Sequence, residues 1–314
     1  MHLGNLLGAI RNWVRDQNEE SYHLIVDLHA LTLPKDPAEL RSGTLKLAMT
    51  LIAAGLDPDV CTLFVQSHVP AHSNLSWLLE CTVSFGELRR MTQFKEKADR
   101  ADFVSAGLFT YPALQAADIL LYDAEQVPVG DDQRQHIEIT RDIAVRFNSR
   151  YGETFVIPEA AIPRAGARVM DLQNPTKKMS KSESSPQGTI DILEPLKDIE
   201  RKVMRAVTDS ETDVRFDVAE KPGVANLLSI LAACTGGEPA EIAKAYTQYG
   251  PLKKDAAAAV VETVRPIQAR YAEFASDPAE MARLLGKGAT KAESIASVTL
   301  ARAYAAIGLL PRGH

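Results

Sequence analysis

The sequence predicts an α/β protein: a parallel-sheet nucleotide-binding domain with a helical insertion, followed by an all-helical C-terminal domain. Three observations lead there. Between residues 4 and 66, apolar runs of strand length alternate with stretches of helical periodicity. Residues 74 to 155 then read mostly as helix. Beyond a lysine-rich loop ending near residue 182, the chain becomes alanine-rich and helical.

In residues 4–17, Leu6/Leu7, Ile10 and Trp13/Val14 recur at three- and four-residue spacing, which predicts a helix. Residues 23–28 form a short apolar run typical of a strand buried on both faces. Leu45, Ala48 and Leu51/Ile52 mark the next helix, with a stop at Gly55 and Pro58. Residues 61–66 read as a second buried strand. Helix, strand, helix, strand at this spacing indicates parallel βαβ units, hence a Rossmann-like sheet with a nucleotide site at the carboxyl ends of its strands. Residues 126–129 predict a short strand leading into Gly130-Asp131-Asp132, where a helix starts with acids at its positive end. The later helices are expected at 195–207, 224–234, 239–247, 255–275 and 288–306, with breaks at Gly236-Gly237 and Gly250-Pro251. This divides the chain into a catalytic domain, 1–190, and a helical domain, 191–314.

At 314 residues the chain is long enough for two domains, and its net charge of −6 argues against indiscriminate nucleic-acid binding. Any such contact must come from local basic patches. Cys61, Cys81 and Cys234 are odd in number and widely spaced, which fits a cytosolic protein with reduced thiols. No apolar run approaches a membrane span, and the N-terminus does not read as a signal peptide. No metal-ligand spacing stands out: His68 and His72 are i, i+4, without the glutamate or third ligand a zinc site needs.

Lys178-Met179-Ser180-Lys181-Ser182 sets two cations and two hydroxyls in five residues, just after Asn174-Pro175-Thr176-Lys177. Close-set lysines on a loop suit neutralising polyphosphate charge during nucleotidyl transfer. They suit a solvated surface loop equally well. His2-Leu3-Gly4-Asn5 would set a helix N-terminus against phosphate, with Gly4 permitting close approach; alone, it reads as a frayed terminus. Asp118, in the apolar helical segment 114–121, is either a core acid satisfied by a partner or an acceptor kept for a ligand. Gly130-Asp131-Asp132-Gln133 has the chemistry of a helix cap, Thr208-Asp209-Ser210 that of a turn or cap. Gln93 and Lys97 share one helix face, where Lys97 alone would be a solvated lysine.

Together these motifs carry a resemblance. The lysine pentapeptide is similar, letter for letter, to the KMSKS element of class I aminoacyl-tRNA synthetases, and residues 2–5 to their His-x-Gly-Asn element. Segments 27–32 (DLHALT), 66–72 (QSHVPAH), 91–97 (MTQFKEK), 116–122 (AADILLY) and 129–136 (VGDDQRQH) resemble the tryptophanyl-tRNA synthetase family. So does 221–228 (KPGVANLL), and the likeness runs from residue 2 to about 270.

The resemblance implies ATP-dependent activation of L-tryptophan and its transfer to tRNA(Trp) in the cytoplasm, with Mg2+ carried by ATP. It implies a homodimer with the 74–155 insertion as interface. His2, Gly4 and Asn5, Gly130 and Asp132, and the loop residues Lys178, Met179, Ser180, Lys181 and Ser182 would contact ATP. Lys178, Lys181 and Lys97 would be the catalytic cations. Asp118 would accept the indole N–H, with Tyr111, His29, Gln93 and Gln133 completing the tryptophan site. Gln115 stands where some members have methionine against the indole. Lys197, Arg201 and Arg205, with Lys202 alongside, form either a solvated helix face or a contact to the tRNA backbone.

Two rival readings stay open: a tyrosyl-type synthetase, which Tyr111, Gln115 and Asp118 also fit, and a non-catalytic paralogue that senses tryptophan or a nucleotide. The family also has a strand and turn before its His-x-Gly-Asn element, which this chain, beginning at Met1, does not show. The expectation is that the 314-residue form is poorly active or poorly stable and that the natural start lies upstream.

Overall fold

The computed structural model describes residues 1–98, 103–130, 133–161, 167–180 and 185–311. It forms two compact units. One contains Met1–Gln17, Leu47–Asp57 and Arg164–Pro278; the other contains Asn18–Lys46, Pro58–Pro163 and Ala279–His314. These are spatial groupings and leave the functional division at residue 190 as a proposal.

In the second unit, β1 (Tyr22–Ile25) pairs in parallel with β2 (Thr62–Val65), Tyr22 opposite Thr62 and Ile25 opposite Val65. β2 is buried at every position, as expected, whereas in β1 only Ile25 is. The predicted strand at 23–28 ends early. Val26 is exposed, and the chain turns into the Asp27–Ala30 helix, where the Asp27 carboxylate accepts Ser67 N–H at 3.0 Å. The Pro278–Ile307 helix lies directly on β2: a Cβ added to Gly288 would stand 1.9 Å from the Leu63 carbonyl oxygen. The helices Ala71–Glu80, Ala106–Leu120 and Arg134–Tyr151 bury Leu75, Leu79, Ala113, Ala117, Ile143 and Phe147 in one core with Ala292, Ala296 and Ala303. β3 (Gln126–Pro128) pairs in parallel with β4 (Glu159–Ala161), a strand its Glu-Ala-Ala sequence did not announce.

In the first unit, residues 3–16 form a continuous helix with a π-helical middle at Leu6–Ile10, and Leu3, Leu6, Leu7 and Ile10 are buried. The Leu196–Met204 and Pro222–Thr235 helices pack against the long Tyr249–Ser276 helix. Gly250-Pro251 is therefore no break. Both residues sit in a first helical turn, where proline's missing N–H costs nothing. Gly236-Gly237 does end a helix, both residues at positive φ. Lys202, expected beside a face that is either solvated or in contact with tRNA, is instead buried: its ammonium donates to Glu194 Oε2 at 2.5 Å and to the Thr189 carbonyl at 2.8 Å. Among the described residues no helix is long and apolar enough to cross a membrane.

Candidate active site

Asp118 lies on the inward face of the Ala106–Leu120 helix, buried, and three side chains donate to its carboxylate. Gln66 Nε2 and His72 Nδ1 donate to Oδ1 at 2.7 and 2.6 Å, and His29 Nε2 donates to Oδ2 at 2.9 Å. Each comes from a different place: His29 from Asp27–Ala30, Gln66 from the turn after β2, His72 from Ala71–Glu80. Gln66 is itself oriented, because its Oε1 accepts Leu28 N–H at 3.2 Å. His72 Nε2 stands 2.8 Å from the Tyr122 hydroxyl. An ionised carboxylate only accepts, so the His72 nitrogen that faces it, Nδ1, carries a proton.

Burial pushes the Asp118 pKa up, but the hydrogen bonds from His29 and His72 and their attraction more than offset it, leaving the group below the ordinary carboxylate range. Asp118 is thus held ionised. Among the described residues Oδ1 has two donors and Oδ2 one, so acceptor capacity remains there on the oxygen shared with half-buried His29.

Tyr111 is brought to the same place. Its ring stands edge-on to His29 with centroids 6.4 Å apart, and its hydroxyl lies 2.8 Å from His136 Nε2. Burial pushes the Tyr111 phenol up to about 12. Gln93 is half-buried and Lys97 exposed on the Thr92–Ala98 helix, and among the described residues no hydrogen bond joins either to the Asp118 network. Gly130 is exposed, and its carbonyl accepts Gln133 N–H at 2.9 Å. The helix expected to open there begins at Arg134, with half-buried Gln133 at its N-cap. Asp131 and Asp132 lie outside the described residues.

In the first unit His2 is not a frayed terminus. It bridges Asp191, Leu3 N–H donates to the Ile190 carbonyl at 2.9 Å, and Ile192 N–H donates to the Met1 carbonyl at 3.1 Å. Asn5 Oδ1 accepts the His2 backbone N–H at 3.2 Å, while Asn5 N–H donates to the His2 carbonyl at 2.9 Å. The absent Cβ of Gly4 makes room for the His2 ring, whose Nδ1 would lie 3.0 Å from it. Lys178 pairs with Met170 in an antiparallel bridge and is exposed; Met179 is buried; the Ser180 carbonyl accepts Thr189 Oγ1 at 2.9 Å. Lys181 and Ser182 lie outside the described residues. No group of side chains suited to a metal ion occurs among the described residues.

Sequence reasoning missed Gln66, His72, Tyr122 and His136. The signal was there in part. All four stand in segments that carry the resemblance, and of the His68/His72 pair only His72 is buried.

The family model for class I tRNA synthetases of the W and Y type matches residues 1–265, and the chain belongs to that family. Its relatives are more particular. It is similar to tryptophan–tRNA ligase 2 of Streptomyces avermitilis, 51% identical over 318 residues, covering 100% of this chain and 94% of the relative. It is 53% identical to tryptophan–tRNA ligase 1 of Streptomyces coelicolor, covering 98% and 94%. Among solved structures, tryptophanyl-tRNA synthetase from Mycoplasma pneumoniae superposes with a TM-score of 0.90 at 35% identity, covering 99% of this chain and 94% of that one. The Campylobacter jejuni enzyme complexed with ADP and tryptophan gives 0.85 at 35% identity, covering 98% and 96%.

Proposed function

We propose that the chain is a tryptophan–tRNA ligase that activates L-tryptophan with ATP and transfers it to tRNA(Trp). The observation that carries this reading is the full-length likeness to ligases of that name at about half identity. In the reaction the tryptophan carboxylate attacks the α-phosphorus of ATP, pyrophosphate leaves, and the acyl group passes from the adenylate to the terminal ribose of the tRNA. No covalent nucleophile is needed. The protein supplies positioning and charge.

Asp118 is the acceptor for the indole N–H, through the free capacity of Oδ2, with His29 and Tyr111 beside it. Phenylalanine would leave that buried acceptor without its ligand, the kind of mismatch that discriminates strongly. Gln93 and Gln133 complete the tryptophan site by resemblance. Lys178, Lys181 and Lys97 offset charge developing on pyrophosphate, which arrives as part of a magnesium–ATP substrate. His2, Gly4, Asn5, Gly130, Asp132, Met179, Ser180 and Ser182 are assigned to ATP on the same ground.

The helical part, 191–314, contacts tRNA; the exposed Lys197, Arg201 and Arg205 support this. The protein works in the cytoplasm as a homodimer, and the exposed Trp77, Phe85 and Val145 in the 74–155 region favour pairing there. Sedimentation of Trp77→Glu tests the pairing: a monomer is expected, and an unchanged dimer places the interface elsewhere.

Charging of tRNA(Trp) transcript with each of tryptophan, tyrosine and phenylalanine tests the function. Tryptophan alone should accumulate on tRNA. Charging by tyrosine would favour the tyrosyl-type reading, and tryptophan binding without charging would favour the sensor.

A further inference from the structure

The first half of the lysine loop is held by a short ladder. Asp171 N–H donates to the Lys177 carbonyl at 2.8 Å, and Met179 N–H donates to the Val169 carbonyl at 3.1 Å, on either side of the Met170–Lys178 bridge. In an antiparallel pair with this hydrogen-bond pattern, the N–H and C=O of Met170 point away from Lys178, toward the opposite edge. At that edge one side chain takes both groups. Asn226 Oδ1 accepts Met170 N–H at 2.9 Å, and Asn226 Nδ2 donates to the Met170 carbonyl at 3.0 Å. Asn226 therefore stands in for a neighbouring strand.

Its own position is fixed. Asn226 is buried within the Pro222–Thr235 helix, just past Lys221, whose buried ammonium meets Asp209, Glu211 and Asp213 at 3.1, 2.7 and 3.0 Å and the Tyr249 hydroxyl at 2.8 Å. Val169 and Met179, on the two strands of the ladder, are each 1% exposed, so the pair has little room to slide. The chemistry is demanding: a backbone edge needs one acceptor and one donor from the same planar group. A carboxamide of asparagine length offers both. An ionised carboxylate offers acceptors alone.

We propose that Asn226 is a positioning residue for the lysine loop, holding Met170 so that the ladder presents Lys178 to the polyphosphate at a fixed height. This rests on the proposed ligase reading for its kinetic consequence, though not for its structural one.

Wild type, Asn226→Ala and Asn226→Asp would be compared by tryptophan-dependent ATP–pyrophosphate exchange across pH, at a temperature where melting curves show all three folded. Asn226→Ala should lower kcat on the order of 10²-fold, as a misplaced catalytic group does, with either KM moving less than about threefold. Asn226→Asp should recover relative to wild type as pH falls, because a protonated carboxyl again offers one donor and one acceptor; the Asn226→Ala ratio should stay flat. Wild-type kcat in Asn226→Ala, or parallel pH profiles for the two variants, would overturn the proposal. Hydrogen exchange gives a reading independent of activity. Peptides spanning 169–180 should lose protection in Asn226→Ala more than peptides elsewhere in the same unit, and unchanged protection would overturn the proposal even if wild type proved inactive. Absence of exchange in wild type would instead count against the ligase reading.

Discussion

The Asp118 network and the lysine loop are charged sites built on opposite plans. Asp118 is buried and meets three donors drawn from three separate elements, leaving one oxygen with acceptor capacity. Lys178 has a backbone fixed in a ladder and an exposed side chain with no ion pair among the described residues. The difference matches the work proposed for each. Selecting an indole needs an acceptor that is already desolvated and oriented, so that the wrong side chain leaves it short of a partner. Stabilising charge that exists only in the transition state needs a cation not committed elsewhere in the ground state.

The sharpest break of that comparison is Asp118→Ala. Discrimination of tryptophan against phenylalanine should fall by up to about 10⁴-fold while ATP binding survives. Paired exchange assays would measure it, and unchanged discrimination would remove Asp118 from the indole's partner list. Lys178→Ala and Lys181→Ala come next: each should lower kcat for activation about 10²–10³-fold with far smaller changes in either KM. A rise confined to the KM for ATP would mean the loop merely binds the ground state.

Glutamate at Lys197, Arg201 and Arg205 together should slow aminoacylation about tenfold, on the order of 1.4 kcal/mol, and spare exchange. Equal loss of both activities would give that helix a purely structural role. Arg201 is already paired with Asp198 at 2.7 Å, so the effect should come mainly from the other two.

The smallest effect is expected at Glu87. The Arg146 guanidinium, donating at 2.5 and 2.9 Å, holds its carboxyl down to about 2, against an ordinary 4.5. A carboxylate depressed in the fold contributes stability above its unfolded pKa and loses it as pH falls through the folded one. Glu87→Gln should therefore cost about 1 kcal/mol near neutrality, allowing for the partial exposure of the pair. The gap to wild type should close between pH 4.5 and about 2. A constant gap in acid melts would show that the pair is not responsible.

What was legible in the sequence follows the range of the forces involved. β2 and the long helices announced themselves, since their apolar patterns are local. β1 was read too long because Val26 is apolar, while the turn that ends the strand depends on Ser67, far along the chain. β4 has neither the β-branched residues nor the alternation that would mark a strand. Asp118 stood out as a carboxylate in an apolar helix, but Gln66 and His72 reach it only through folding. Lys202 looked like its solvated neighbours until Glu194 and the Thr189 carbonyl gave it a buried seat. Asn226 lay in a recognised segment with nothing local to show that it binds Met170.

The claim that one site selects and the other accelerates is tested most directly on Asp118→Ala and Lys178→Ala side by side. Equilibrium dialysis with tryptophan alone gives the ground-state affinity, and rapid-quench formation of the adenylate gives the chemical rate. Asp118→Ala should lose tryptophan affinity, whereas Lys178→Ala should bind tryptophan within about twofold of wild type and form adenylate about 10²–10³-fold more slowly. Loss of tryptophan binding in Lys178→Ala equal to that in Asp118→Ala, or a normal adenylate rate in Lys178→Ala, would contradict the account.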